Sequence, residues 1–152
     1  QMSKQQVSQV VLSEELLLKH GLKATPLQIE FAREGQVVCG CLILKKEEYE
    51  SSEFQERDDF VAVLALKLRT VPDNMFFNAK NLRTVVMLET EEIADKQQEN
   101  GGAFVQTEIG NCYFPMLKRV GRSAFNKCPI TSLDEVNFPV LQEVGDTGFA
   151  GC

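Results

Sequence analysis

The stretch VGRSAFNKC at 120–128 is answered at 144–152 by VGDTGFAGC, and the reading of that pair decides the fold. Carried back three residues, LKRVGRSAFNKC (117–128) and LQEVGDTGFAGC (141–152) share Leu, Val, Gly, Phe and Cys at identical slots, 24 residues apart. LRTVPDNMFFNA (68–79) enters the same frame through Leu68, Val71 and Phe76. Its offset of 49 residues from the copy at 117 is about two periods, so one degenerate copy is expected between them.

Upstream of these slots a second block recurs as FVAVLALKLRTV (60–71), LRTVVMLETEEI (82–93), IGNCYFPMLKRV (109–120) and LDEVNFPVLQEV (133–144). Each reads apolar-x-x-apolar-x-apolar-x-x-Leu-x-x-Val, with Thr90 breaching the Leu slot, and the starts lie 22, 27 and 24 residues apart. A phenylalanine follows five residues later in three copies, as Phe76, Phe125 and Phe149; in the other, KQQENG intervenes and Phe104 arrives late. A fainter copy precedes them, VCGCLILKKEEY (38–49) with Phe54.

A period of 22 to 27 residues is too short for a helix pair and fits one solenoid coil with a short strand. Alternation at Val136-x-Phe138 directs two side chains to one face of that strand. Pro115 and Pro139 end the ladder, having no N–H to give it. Gly121 and Gly145 are expected to open a tight bend, and Ser123-Ala-Phe125 and Thr147-Gly-Phe149 to form one hydroxyl-capped helical turn. One coil cannot bury its apolar set alone, whereas stacked coils cover each other. A sandwich of short strands would not hold five slots over a fixed spacing.

The segments IGNCYFPMLKRVGRSAFNKC and LDEVNFPVLQEVGDTGFAGC resemble the BspA-like leucine-rich repeat family, whose repeat is similar to Leu-x-x-Val-x-Leu-Pro-x-x-Leu-x-x-Ile-Gly-x-x-Ala-Phe-x-x-Cys. The resemblance spans about 60–152. Cys112 stands in a valine slot, Pro72 in the glycine slot, Gly148 in the alanine slot, and Ala79 and Thr107 in the cysteine slot. It implies an α/β solenoid of leucine-rich repeats, and a largely non-enzymatic use in adhesion, partner binding and surface display.

Ahead of the repeats, SEELLLKHG (13–21) reads as a short helix, capped by Ser13 and closed by Gly21. LQIEFAREGQVVCGCLIL (27–44) reads as a hairpin turning across 33–36. The organisation expected is an α+β cap at 1–37, a degenerate first repeat with an acidic loop at 38–59, and repeats at 60–152.

Net charge is −6, which argues against a nucleic-acid surface, and no apolar run is long enough to cross a membrane. Two stretches, 45–59 and 89–100, together hold −8 and read as solvated loops or faces. QMSKQQVSQVV lacks the pattern of a secretory signal, five cysteines is an odd number, and no Asn-x-Ser/Thr sequon occurs. The expectation is cytoplasmic, and it becomes the cell surface if a leader has been trimmed ahead of Gln1.

Candidates for chemistry are few. Cys39-Gly-Cys41 lacks the second pair a metal site wants, and both are expected on one apolar strand face as small hydrophobes. Cys128 and Cys152 occupy equivalent slots, about 5 Å apart if coils stack and so within disulfide reach, with reduced thiols preferred. His20, the only histidine, is expected to place its charge at a helix C-terminus. Gly101-Gly102 has no following lysine or hydroxyl and makes no phosphate loop. No catalytic, cofactor or metal residues are expected.

The fifth position of each block, Leu64, Val86, Tyr113 and Asn137, points away from the core and forms a strip. Either the N-terminal helix covers it or a partner does. The function expected is a protein-binding module without catalysis. The alternatives are an adhesion or assembly role with coils stacked end to end, or an accessory domain of a larger protein. The open last coil, through Leu133, Val136, Phe138, Leu141, Val144 and Phe149, is expected to continue into further coils or self-associate.

Overall fold

The computed structural model describes residues 12–131 and 137–152. Among the described residues two helices, α1 (Glu14–Lys19) and α2 (Pro26–Phe31), precede nine short strands numbered in chain order. One sheet runs β1 (Val37–Val38), β2 (Cys41–Leu44), β3 (Ala62–Ala65), β5 (Thr84–Met87), β7 (Asn111–Tyr113). The other runs β4 (Thr70–Val71), β6 (Glu92–Ile93), β8 (Arg119–Val120), β9 (Glu143–Val144). Every pairing except β1 with β2 is parallel, so the chain winds as a β-solenoid of about four turns.

The register follows the sequence frame. Val63 pairs with Val85 and Val85 with Cys112 in one sheet, and Val71 with Ile93 and Ile93 with Val120 in the other. Slots read as inward, including Phe60, Leu68, Leu82, Ile109 and Leu117, lie in one buried cluster. Thr90 is buried with them, its hydroxyl donating to the Leu68 carbonyl at 2.8 Å, which offsets the burial of a polar group.

The third side is not the expected helical turn. Ser52, Asn74, Ser123 and Thr147 have φ of 65°, 57°, 59° and 55°, and Glu56, Asn78, Lys127 and Gly151, four residues on, are also left-handed. Such residues break a right-handed helix. They turn alternate N–H groups toward the following coil: Phe54 donates to Met75, Phe76 to Ala103, Phe104 to Ala124 and Phe125 to Gly148, at 2.8–3.0 Å. The turns therefore form a third backbone ladder, and the coil is β and turn rather than α/β. The Ser123 and Thr147 hydroxyls bond each other at 2.7 Å across this ladder instead of capping a helix.

Inside the turns Phe54, Phe76, Phe104, Phe125 and Phe149 stack as one column, centroids 5.6, 5.5, 4.9 and 5.2 Å apart and planes within 12°. Phe114 and Phe138 stack beside them at 5.7 Å. Gly121 serves close approach rather than a bend. Its φ is not positive, and a Cβ there would lie 2.4 Å from the Ala94 carbonyl of the preceding coil. Leu133 and Val136 fall outside the described residues.

Two N-terminal expectations are corrected. Residues 27–31 belong to α2, not to a hairpin strand: Pro26 opens the helix, and Thr25 and Gln28 form a reciprocal capping box at 3.2 and 2.9 Å. The hairpin turns at Cys39-Gly40, between β1 and β2, so Cys39 sits in the turn with φ 51° and exposed. β2 pairs in parallel with β3, shifted by one residue from the frame, so that Leu42, not Cys41, lies opposite Val63. Leu42 and Leu44 consequently face the main core, and Cys41 and Ile43 face the helices.

Candidate functional site

The strip at Leu64, Val86, Tyr113 and Asn137 is offered by the sequence either to the N-terminal helix or to a partner. Leu64 and Val86 are 0% and 1% exposed, packed with Ile43 from the first coil against Leu17 of α1, Leu22, and Ile29 of α2. Tyr113 is half-buried and stacks on His20. Asn137 is half-buried in a turn, its carbonyl accepting from Phe114 at 2.9 Å. The N-terminal helices cover Leu64 and Val86, with Tyr113 packed at the edge of the same cluster.

The cover is anchored by polar contacts at its edge. Lys45 donates through Nζ to the Glu30 and Ala32 carbonyls at 2.9 and 2.7 Å, closing the C-terminal end of α2. Glu34 accepts from the Lys45 N–H and, at 2.7 Å, from the Tyr49 hydroxyl. His20 is buried, and that burial, with the Lys19 charge a lesser cause, lowers its pKa. It is therefore held neutral and does not bring a charge to the helix end.

The thiols behave as core groups or as donors. Cys41 and Cys128 are pushed up to about 12 by burial. The Cys128 and Cys152 thiols are free, each contacting the phenylalanine carbonyl one coil back, Phe104 at 3.3 Å and Phe125 at 3.2 Å. Thr107, in the cysteine slot, donates to Phe104 of its own coil at 2.8 Å and lies 3.4 Å from the Cys128 sulfur.

The exposed face of the second sheet carries alternating charge. Glu91 lies between Arg69 and Lys118, at 3.1 and 3.4 Å. Arg119 meets Glu92 at 3.4 Å, Asp95 at 2.9 Å, and Glu143. The acidic stretch at 89–100 is thus largely neutralised by its neighbours, and its ion pairs reinforce register.

The one place among the described repeats where the period stretches to 27 residues lies on the turn side. The extra residues, following β6, build a cleft of about 470 Å³ with the turns of three coils. They are pinned from outside. Asp95 accepts from the Arg122 N–H at 2.7 Å, Asp73 from Gln97 N–H at 3.0 Å, and Asn74 from Gly102 N–H at 2.8 Å. Lys96 N–H donates to the Arg122 carbonyl at 3.1 Å.

Gly101 and Gly102, which form no phosphate loop, allow the insert to lie flat. A Cβ on Gly101 would sit 2.8 Å from Asn74 Oδ1, and one on Gly102, whose φ is 146°, would sit 2.5 Å from the Ser123 carbonyl. Asp73 is buried with Oδ1 unpaired, a cost that marks this anchoring as costly in stability. The sequence showed the insertion as KQQENG ahead of a late Phe104. Its closure into a cleft depends on Asp73, Asn74 and Arg122, which no local pattern marks.

The cleft wall combines Phe77 and Val105 with the amides of Asn100, Gln106 and Asn126 and the ammonium of Lys127. These four polar side chains make no hydrogen bond or ion pair with other described residues. The arrangement can grip a ligand through amide donors and acceptors and a cation. Among the described residues no His, Cys, Asp or Glu group is placed to hold a metal, and no helix is long and apolar enough to cross a membrane. Comparison with protein-family models, curated proteins and solved structures returns no match.

Proposed function

We propose that this chain is a non-enzymatic recognition module, a BspA-like leucine-rich repeat solenoid that holds a protein partner on its turn face, at the cleft built by the coil insert. One observation carries this reading. The stack departs furthest from its period at a loop pinned by Asp73, Asn74 and Arg122 while Asn100, Gln106, Asn126 and Lys127 remain unspent. Insertions in repeat arrays map to loops on one face, which is often the binding face. Pinning reduces the ordering cost of association.

The test is site-specific photocrosslinking. A benzophenone side chain is placed at Asn100, or for comparison at Thr70 on the second sheet, in extract from the source cells. Each crosslinked protein is identified, purified and titrated against the unmodified chain. The reading requires a purified protein that binds and crosslinks from Asn100 but not from Thr70. Crosslinks confined to Thr70 would overturn it.

A further inference from the structure

The cleft's chemistry also specifies what part of a partner it takes, an inference that rests on the cleft being the recognition site. Its titratable groups are Lys96, Lys127 and Glu99, two cations against one anion in a chain of net charge −6. Lys96 donates through Nζ to the Glu99 carbonyl at 2.8 Å, using one of an ammonium's three donors, and Lys127 uses none. Glu99 makes no ion pair within the described residues. Its carboxylate and Lys96 lie on the same insert, and Lys127 comes from the turn of the following coil.

The three free amides come from three places, Asn100 on the insert, Gln106 on its own coil's turn and Asn126 on the next. A carboxamide offers a donor pair and an acceptor, the complement of a peptide unit. Gln106 and Lys127 both sit in left-handed turn positions, φ 62° and 64°, and the Lys127 N–H donates to the Ala150 carbonyl at 2.6 Å. Phe77 and Val105 supply apolar surface between them. The volume lies within the range of ligand pockets, about 300–1,000 Å³.

We propose that the cleft binds an extended, acidic peptide segment of a protein partner, with an aspartate or glutamate carboxylate at Lys127 and Lys96 and the adjoining peptide groups at the three amides. The carboxylate is attracted by both ammonium groups. Glu99 opposes it and sets a preference for a single acid flanked by uncharged residues.

The experiment titrates the ¹⁵N-labelled chain with blocked tripeptides, acetyl-Gly-Asp-Gly-amide, its Asn and Lys counterparts, and methyl glucoside. Amide shifts are followed to about 10 mM, the range for single-contact fragments. The Asp peptide is expected to shift residues of the insert and the turn at 126–127, and to bind about fivefold more tightly than the Asn peptide. Lys127→Glu should reverse the order, favouring the Lys peptide. That gain of binding does not depend on lost folding.

Equal binding of Asp and Asn peptides, binding of the glucoside in their place, or no shift in the cleft overturns the acidic-peptide assignment. The crosslinking result at Asn100 stands or falls separately. A protein held there without acid preference leaves the recognition face intact and removes only this inference.

Discussion

His20 lies face to face with Tyr113, ring centroids 4.4 Å apart and planes 12° from parallel, joining the end of α1 to the fourth-coil strand 93 residues away in sequence. The pair is the seam between helical cover and solenoid. On the strand side Asn111 strengthens it, donating to the His20 carbonyl at 3.1 Å.

The seam predicts a pH dependence. Burial lowers the His20 pKa below its ordinary value, and the cation on Lys19 acts in the same direction; Tyr113, the other titratable group facing it, stays a neutral phenol. The unfolded chain then binds the proton more readily. Stability is complete above the unfolded value and falls as pH drops from about 6.5 toward the folded value. Urea midpoints between about pH 7.5 and 5 should decline for the native chain, and His20→Gln should flatten that window. An identical slope in both proteins would remove His20 from the seam.

The phenylalanine column predicts a large packing loss. Phe125 is fully buried between Phe104 and Phe149, at 4.9 and 5.2 Å. Phe125→Ala should cost about 3–5 kcal/mol, read from chemical denaturation. An unchanged midpoint would contradict the stacking register.

The charge ladder predicts a small, salt-sensitive effect. Arg119 faces Glu92, Asp95 and Glu143, all partly exposed. Arg119→Met should lower stability by about 1 kcal/mol or less, with the difference shrinking as salt screens the pairs. A deficit that grows with salt would show that Arg119 acts through something other than charge.

Thiol titration separates exposed from core cysteines. Cys39 and Cys152 should react with a disulfide reagent in the native chain, and Cys41, Cys112 and Cys128 only on unfolding. Five reactive thiols in the native chain without denaturant would show that the coils are not closed.

The coil frame was readable because stacking repeats the same demand at each turn. Phe76, Phe125 and Phe149 recur at one slot, and that slot became the column. The turn conformation was not readable, since left-handed φ falls on Asn74, Ser123 and Thr147 alike and the ladder, not the residue type, imposes it. The register of the first coil was off by one, because Cys41-Leu-Ile-Leu44 is apolar on both faces and carries no alternation to fix it. α2 was missed although Thr25-Pro26 and Gln28 carry a helix-start signature; six residues are too few for periodicity to outweigh the strand-like run that follows. The strip at Leu64 and Val86 reads as a stacked apolar surface open to the N-terminal helix or a partner, and the repeat frame alone cannot choose because the cover comes from a non-adjacent segment.

The most direct measurement of the central claim is the affinity of the crosslinked, purified partner for a chain carrying Asn100→Ala, Gln106→Gly and Asn126→Ala. These side chains make no hydrogen bond with other described residues, so stability read from urea unfolding should stay within about 0.5 kcal/mol per site of the native chain. Affinity should fall by about tenfold or more, while Arg69→Ala with Lys118→Ala on the charged face leaves it unchanged. Native affinity in the stripped variant, with the fold intact, would contradict the assignment of the cleft as the recognition site.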